Sequence, residues 1–347
     1  MFRHLLAANP CILSNMIRGV NLGGWLVLEP WITPSLFEGT TAMDEHSLCK
    51  FGSAEHKARL RRHRQMFITE KDFQWLAKHG IEAVRIPVGY WIFGKAMPYI
   101  GAIKYLDSAF EWAEKHGLKI IICLHGAPGS QNGEMHSGQI RDVGWPLKQR
   151  NLDWTLDVIE RLAKRYCGRP ALLGIELLNE PAQEILRRIL TRYYRQAYKI
   201  IRRVCGPDVW VIIDDRFKPG RWWWVLAGPW RRRGVQDHHH YQIFEPEDRT
   251  LDIEGHLRKA ARMGNVLRRI TIFRRIIVGE WSGALHRQVV EDMGDARGRQ
   301  IYQDYTAAQL AAFAGCTGWF YWTYKTESTE FDPWHFRMMV EQGTMKL

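Results

Sequence analysis

The sequence lacks the features that would divide it into separate parts or carry it across a membrane. No apolar run approaches the roughly 20 residues that a membrane-spanning helix needs. No Pro/Gly/Ser-rich linker, low-complexity tract or short-period repeat interrupts the 347 residues. Because 46% of the residues are hydrophobic, the chain can bury a large core. We therefore predict one domain that covers residues 1–347.

The sequence also lacks closely spaced cysteines. Its six cysteines contain no Cys-X-X-Cys pair and are spread along the chain: Cys11, Cys49, Cys123, Cys167, Cys205 and Cys316. This pattern favours free thiols over a disulfide framework. No Cys/His spacing resembles a structural zinc site, so no metal is expected.

An uninterrupted apolar block, as in an export signal, is missing from the first sixteen residues. Asn9, Pro10 and Ser14 interrupt this stretch. Together with the unpaired cysteines, this feature leads us to expect a cytoplasmic protein.

Basic residues outnumber acidic ones, 49 to 37, which gives a net charge of +12. The basic clusters lie at residues 59–64, 231–233 and 268–275, and a helix would place Arg188, Arg192 and Arg195 on about one face. The simplest interpretation is a solvated surface. The alternative is weak association with an anionic membrane or another anionic partner. No recognisable nucleic-acid-binding module accompanies the charge, so no nucleic-acid partner is predicted.

Short β-branched runs alternate with amphipathic stretches about eight times. The predicted strands are Met16 to Val20, Ala83 to Ile86, Lys119 to Leu124, Leu172 to Leu177, Val209 to Ile213, Val235 to His240, Ile276 to Gly279 and Gly318 to Thr323. Predicted helices include one that Thr69 caps, one from Ile103 to His116 and one from Leu152 to Tyr166. This alternation predicts an α/β fold, a (β/α)8 TIM barrel.

Polar and aromatic residues follow these strands. The strand ends carry Arg85, His125, Asn179, Glu180, Asp214, Asp215, His239, Tyr241, Glu280 and Trp322. Because unpaired buried charges are severely penalised, a shared active site explains this set better than a core does. His125, His239 and Trp322 could still be core residues, and Asp214 and Asp215 could serve a turn.

Glu180 and Glu280 each end a short apolar stretch, in Asn179-Glu180-Pro181 and Gly279-Glu280-Trp281. Two carboxylates at strand ends suit glycosidic bond cleavage, in which one must be protonated and the other ionised. We expect the anionic Glu280 to raise the pKa of Glu180 and keep it protonated. No cofactor is needed for this chemistry.

Seven segments resemble glycoside hydrolase family 5, and within it the exo-β-1,3-glucanase branch of fungi. They are residues 18–30 (RGVNLGGWLVLEP), 84–91 (VRIPVGYW), 124–133 (LHGAPGSQNG), 176–181 (ELLNEP), 239–244 (HHYQIF), 279–282 (GEWS) and 318–327 (GWFYWTYKTE). They span almost the whole chain, in the family's order.

The resemblance implies a retaining β-glucosidase or glucanase whose first-choice substrate is β-1,3-glucan or its oligosaccharides. It makes Glu180 the acid/base and Glu280 the nucleophile, with their carboxyl groups roughly 5 to 5.5 Å apart. The implied supporting residues are Arg85 and Tyr241 for Glu280, Asn179, His125 and His239 for sugar hydroxyls or the acid/base, Trp322 for the sugar face, and Glu29 for the non-reducing glucose.

One segment departs from the family pattern. Where fungal relatives read Phe-Asp-Asn-Ser-Gly after Gln-Asn-Gly, residues 134–138 read Glu-Met-His-Ser-Gly. Phe244 therefore lacks the phenylalanine that completes a clamp on the leaving sugar, and Met135 replaces an aspartate. The region from 281 to 301 is also shorter, which predicts a more open cleft.

Three other functions remain open at this stage. A glycolipid-directed β-glucosidase at a membrane surface would use the basic surface and a tryptophan-rich loop, in which Trp222, Trp223, Trp224 and Trp230 either stack on sugars or pack the loop. A non-catalytic glycan-binding barrel conflicts with the presence of both carboxylates. A nucleic-acid binder rests on charge alone. The oligomeric state is not predicted.

Overall fold

The computed structural model describes residues 16–220, 222, 234–290 and 294–347, with side chains of α8 described from residue 297. Eight parallel strands close into a barrel in sequence order. They are β1 (Ile17–Asn21), β2 (Ala83–Gly89), β3 (Lys119–Gly126), β4 (Leu172–Glu176), β5 (Trp210–Asp214), β6 (Gly234–His240), β7 (Arg275–Trp281) and β8 (Gly318–Tyr321). The predicted TIM barrel is confirmed.

Helices surround the barrel. They are α1 (Glu45–Phe51), α2 (Ala54–Met66), α3 (Glu70–Lys78), α4 (Ile103–His116), α5 (Gln149–Tyr166), α6 (Arg187–Cys205), α7 (Ile253–Thr271), α8 (Gly294–Phe313) and α9 (Phe336–Glu341). Arg188, Arg192 and Arg195 are exposed on α6, as predicted. None of the helices in the described part of the chain is both long and apolar enough to cross a membrane.

The interior of the barrel changes character along its axis. Near the amino ends of the strands it is apolar and is filled by a cluster that includes Ile121, Ile277 and Phe320. Towards the carboxyl ends it becomes polar, with Arg85 and Glu176 fully buried. The polar layer lies directly beneath the end of the barrel where (β/α)8 enzymes place their active sites.

The segment between β1 and α3 is fixed over the carboxyl end of the barrel by a buried ion pair. Arg64 Nη2 lies 2.5 Å from Glu45 Oε1, and both side chains are buried. Trp91 Nε1 and the Leu28 amide also donate to Glu45, at 2.9 Å and 3.0 Å. The interpretation of residues 59–64 as a solvated basic surface is therefore wrong for Arg64, which is buried. Its partner Glu45 fixes the backbone at Leu28, next to Glu29.

Candidate active site

Arg85 lies at the centre of the polar layer. Its Nε donates to Glu176 Oε2 at 2.7 Å, and Nη1 donates to Asn21 Oδ1 at 2.9 Å and Glu280 Oε1 at 2.8 Å. Nη2 donates to Glu176 Oε1 at 3.0 Å and Asn179 Oδ1 at 2.8 Å. All five N–H groups of the guanidinium are therefore used, which is what a fully buried arginine requires.

Glu280, at the end of β7, is held on both carboxylate oxygens. Arg85 occupies Oε1, and the Tyr241 hydroxyl donates to Oε2 at 2.8 Å. Burial raises the pKa of Glu280, while the charges of His239 and Arg85 act in the opposite direction. The hydrogen bonds from Arg85 and Tyr241 fix the orientation of this carboxylate.

Glu180 lies in the turn after β4, with a φ of 42°. Few residues other than glycine adopt this left-handed conformation, which costs about 1 to 3 kcal/mol and is concentrated at functional sites. His239 Nδ1 lies 2.6 Å from Glu180 Oε1, and His136 Nε2 lies 3.2 Å from Oε2. Both carboxylate oxygens thus have an imidazole partner.

The prediction that the pKa of Glu180 is raised is wrong for the protein without substrate. Burial alone would raise this pKa, but the hydrogen bonds from His136 and His239 outweigh burial and hold it well below its ordinary value. The expectation considered only the charge of Glu280 and missed His136, which comes from the loop after β3.

The two glutamates approach each other across His239. One oxygen of Glu180, one of Glu280 and a ring nitrogen of His239 all lie within 4.8 Å of one another. Carboxyl groups of inverting glycosidases stand roughly 6.5 to 9.5 Å apart, which leaves room for a water molecule, whereas retaining enzymes bring them to about 5 to 5.5 Å. The close approach fits the retaining geometry.

These donors also have the spacing of a metal site. The groups are Glu180, His239 and Glu280, and Glu176, Asp237 and His239. However, the Arg85 guanidinium contacts a member of each group, since its Nη1 is 2.8 Å from Glu280 and its Nε is 2.7 Å from Glu176. A fixed cation at these oxygens opposes the binding of another, so the donor set fits a metal poorly.

Glu29, after β1, is a buried carboxylate whose Oε2 accepts a hydrogen bond from Trp31 Nε1 at 2.9 Å. Burial raises its pKa to about 7, although the charge of His136 acts in the opposite direction. The charges of Glu280 and Glu180 also act to raise this pKa.

Three further predicted residues line the same site. The rings of His125 and Trp322 stack with centroids 5.5 Å apart, and His125 Nε2 lies 4.0 Å from Glu280 Oε1. Burial and the nearby Arg85 lower the pKa of His125 well below its ordinary value. Asn179 Oδ1 accepts a hydrogen bond from Arg85, while Asn179 Nδ2 is buried without a hydrogen-bond partner in the described part of the chain. That amide is a free donor at the site.

Phe244, after β6, packs differently from a clamp that uses residue 134. Its ring is 5.4 Å from the Tyr241 ring and 6.1 Å from the Trp334 ring, and 70% of the residue remains exposed. Glu134 is exposed as well. Trp334 is thus an aromatic neighbour that the sequence patterns had not singled out.

Several functional neighbours were missed. Asn21, Glu176 and Asp237 surround Arg85, and His136 contacts Glu180. A charged residue inside a strand otherwise read as apolar was a usable sign for Glu176 and Asp237. His136 had no such sign, because its contact depends on the path of a loop.

Of the remaining candidates, Asp215 and Trp222 have structural contacts, whereas Asp214 Oδ2 also lies 3.7 Å from His239 Nε2 and so borders the site. Asp215 Oδ2 lies 3.0 Å from His238 Nδ1, while Asp214 Oδ1 accepts from the Arg216 amide at 2.6 Å. Trp222 is buried, and its Nε1 donates to the Asp215 carbonyl at 2.9 Å, so it packs the loop. Trp223, Trp224 and Trp230 lie outside the described residues, as do Cys11 and residues 231–233.

Comparison with known proteins gives a consistent family. Residues 50–328 match the model of the cellulase family, glycosyl hydrolase family 5. "Probable glucan 1,3-beta-glucosidase A" of Aspergillus fumigatus is 36% identical over 371 residues, covering 95% of this chain and 87% of that protein. A glucan 1,3-beta-glucosidase of Candida oleophila is 37% identical over 382 residues, covering 95% and 88%.

Solved structures agree on the fold. A rutinosidase from Aspergillus niger superimposes with a TM-score of 0.81 at 22% identity, covering 95% of this chain and 98% of that one. The endoglucanase Cel5A of Thermotoga maritima gives 0.60 at 18% identity, covering 95% and 98%. Since the family model and the relatives each match most of the sequence, the chain belongs to glycoside hydrolase family 5.

Proposed function

We propose that this protein is a retaining β-glucosidase that hydrolyses β-linked glucosides, with β-1,3-glucan or its oligosaccharides as preferred substrates. The observation that carries the proposal is the approach of Glu180 and Glu280 to within 4.8 Å at the carboxyl end of the barrel. The names of relatives that are 36% and 37% identical support the choice of linkage.

Glu280 is the proposed nucleophile. Arg85 at 2.8 Å and Tyr241 at 2.8 Å stabilise its ionised form and aim it at the anomeric carbon. Attack forms a covalent glycosyl-enzyme as the glycosidic bond breaks. In the second half-reaction, water replaces Glu280 at the same carbon, and the configuration of the sugar is retained.

Glu180 is the proposed acid/base. It protonates the leaving oxygen in the first half-reaction and takes a proton from water in the second. His239, 2.6 Å away, orients its carboxylate from β6. Because the pKa of Glu180 is low in the free protein, substrate and the developing negative charge on the leaving oxygen must draw the proton towards the reacting atoms.

The sugar-binding residues follow from chemistry. The free Nδ2 donor of Asn179 suits a sugar 2-hydroxyl, and the fixed flat ring of Trp322 suits the apolar face of a pyranose. Buried Glu29 and His125 offer polar groups to the other hydroxyls. The exposed ring of Phe244, supported by Trp334, is the proposed contact for the leaving sugar.

A product analysis tests this function. Purified protein is incubated with laminari-, cello- and gentio-oligosaccharides and a glucosylated lipid, the products are separated by size, and the anomer released first is identified by NMR. We expect β-glucose or a β-configured oligosaccharide from the laminari series. Initial release of the α-anomer, or no hydrolysis of any β-glucoside, would disprove the proposal.

We also propose weak association with anionic membranes through the end of α7. Ile272 and Phe273 are 74% and 69% exposed, beside exposed Arg268 and Arg269. Apolar tips flanked by arginines suit a lipid surface of negative charge. This patch precedes β7 and lies at the end of the barrel opposite the active site. It does not favour the glycolipid alternative, which needs the active site to face the membrane.

We propose a cytoplasmic location because the described cysteines are all free thiols, namely Cys49, Cys123, Cys167, Cys205 and Cys316. The test is to purify the protein from its natural source, unfold it without reductant and titrate its thiols. Six reactive thiols are expected. A smaller number, or recovery of the protein outside the cell, would contradict this location.

A further inference from the structure

His136 is the second imidazole on the acid/base, and it stands in the segment where the chain departs from the pattern of its family. Its Nε2 lies 3.2 Å from Glu180 Oε2, opposite the contact that His239 makes with Oε1. In the family pattern the corresponding residue is an asparagine, which cannot carry a positive charge. The chain has therefore gained a titratable group at the atom that must give and take a proton.

The loop that carries His136 is fixed on both sides of it. The Ser130 and Ser137 hydroxyls are 2.7 Å apart, and Ser130 also accepts from the Gly133 amide at 2.7 Å. The Gly138 carbonyl accepts hydrogen bonds from the His46 amide at 2.9 Å and the Tyr99 hydroxyl at 3.2 Å. His136 is thus presented to Glu180 by a braced turn.

Gly138 explains why the turn can pass so close to the barrel. Its φ of 85° is left-handed, and a Cβ there would lie 2.1 Å from the Trp91 ring. Only glycine fits both the conformation and the space.

The hydrogen bonds of His136 allow two protonation states. Its Nε2 also lies 2.8 Å from Asn132 Nδ2, an amide donor. When Nε2 carries a proton, it donates to ionised Glu180 and cannot accept from Asn132, whose amide must then turn away; when Nε2 carries none, it accepts from Asn132 or from protonated Glu180. The same pair of side chains can therefore hold one proton on either partner.

The charges around His136 come from four elements. Glu180 lies after β4, Glu29 after β1 and Glu280 on β7, while the His125 ring of β3 is centred 5.7 Å away. Burial alone would lower the pKa of His136, but these carboxylates, Glu180 above all, raise it to about 9. The imidazole is consequently the more basic member of the pair in the free protein.

We propose that His136 is a positioning residue that shares the catalytic proton with Glu180 and stores it between turnovers. This inference rests on the proposed roles of Glu180 and Glu280. In the first half-reaction the Nε2 proton passes to Glu180, which delivers a proton to the leaving oxygen while Glu280 bonds to the anomeric carbon.

The second half-reaction restores the starting state. Glu180 removes a proton from water as the water oxygen bonds to the anomeric carbon and the bond to Glu280 breaks. The proton then returns to His136 Nε2. No oxidant, metal or other reactant is needed.

His136→Gln and His136→Asn test the proposal. Glutamine keeps a hydrogen-bond donor but does not titrate, and asparagine restores the residue of the family pattern. The measurement is kcat/KM against pH on laminaribiose and on dinitrophenyl β-glucoside, whose leaving group needs no protonation. His116→Asn, at the opposite end of the barrel, is the matched control.

On laminaribiose, the basic limb of the profile should move at least one pH unit lower in both variants, because the last proton of the pair then leaves Glu180 rather than His136. On the dinitrophenyl substrate the limb should stay within a few tenths of a unit. His116→Asn should match the wild type on both substrates.

A laminaribiose limb in His136→Gln that coincides with the wild-type limb would overturn proton sharing. A basic limb at the wild-type position in His136→Gln but not in His136→Asn would also overturn proton sharing, since it would show that only the hydrogen bond matters. Circular dichroism of each variant verifies folding. A wild-type protein that hydrolyses neither substrate would refute the proposed function instead, so the two failures are distinguishable.

Discussion

At the scale of single residues, the site is organised around partners that hold two carboxylates in different ways. Glu280 is held by a permanent cation and a hydroxyl, Arg85 and Tyr241. Glu180 is held by two imidazoles that can change charge, His136 and His239. Fixed partners suit a nucleophile that must stay ionised, and titratable partners suit an acid/base that must exchange a proton.

Glu280→Gln should abolish turnover, because an amide cannot form the glycosyl-enzyme.

Glu180→Ala should lower kcat/KM on oligosaccharides by about 10² to 10⁴-fold, the usual contribution of a general acid/base. The decrease on dinitrophenyl β-glucoside should be much smaller. Azide should accelerate Glu180→Ala and release β-glucosyl azide, detectable by NMR. Near-wild-type hydrolysis of laminari-oligosaccharides by either variant would refute the assignment.

Glu134→Phe should strengthen the binding of the leaving sugar. If the new ring and Phe244 enclose the sugar as a clamp, KM for laminari-oligosaccharides should fall by an amount that corresponds to about 1 kcal/mol, the usual strength of an aromatic pair. KM for an aryl β-glucoside provides the reference. An unchanged or higher KM for the oligosaccharides would show that Glu134 makes its own contribution.

At the scale of elements, β6 and β7 are brought together by a glycine. The Gly279 amide donates to Asp237 Oδ1 at 2.7 Å, and a Cβ on residue 279 would lie 1.9 Å from Asp237 Oδ2. Asp237 also lies 3.6 Å from the Arg85 guanidinium. The absence of a side chain at 279 thus allows the close approach of these strands beside the nucleophile.

Gly279→Ala should displace Asp237 and, through Arg85, disturb Glu280. We expect the free energy of unfolding to fall by about 1 to 3 kcal/mol, as for other overpacked cores. We also expect kcat to fall by a larger factor than the factor by which KM changes. Thermal denaturation and steady-state kinetics measure both. Gly220→Ala, where a Cβ meets nothing within 4 Å and φ is not positive, is the control for the added methyl group. Wild-type kcat in Gly279→Ala would contradict this account.

The elements were largely predictable from the sequence, while their ends and cross-loop contacts were not. The eight strands were found because parallel strands covered on both sides read as apolar runs. β2 continues to Gly89 rather than Ile86, since Pro87 and Val88 still pair with β3. α5 begins at Gln149 rather than Leu152, because its first turn is polar. His136 was missed for a different reason: a loop's path in space has no periodicity to read.

At the scale of the whole molecule, the two ends of the barrel differ in chemistry. The carboxyl end holds the glutamate pair, and the amino end carries Ile272 and Phe273 beside arginines. A membrane bound at the amino end would leave the active site facing away from the lipid.

Binding to phosphatidylserine vesicles should test this arrangement. We expect binding at low salt and a sharp loss near 0.15 M, where surface charges are screened over about 8 Å. Phe273→Ser should weaken vesicle binding, whereas Phe51→Ser should not, because Phe51, although 74% exposed, lies in the segment between β1 and α3. Equal effects of the two substitutions, or no binding by the wild type, would remove the membrane proposal.

Arg85 has a consequence for how this protein can change over evolutionary time. Its five N–H groups are divided among side chains from β1, β4, β7 and the turn after β4. A substitution at one of these partners therefore changes the effect that a substitution at another partner has on stability and activity. Strong epistasis is expected among these positions. Specificity can therefore diverge through peripheral loops such as residues 134–138, while the centre persists or is lost as a unit.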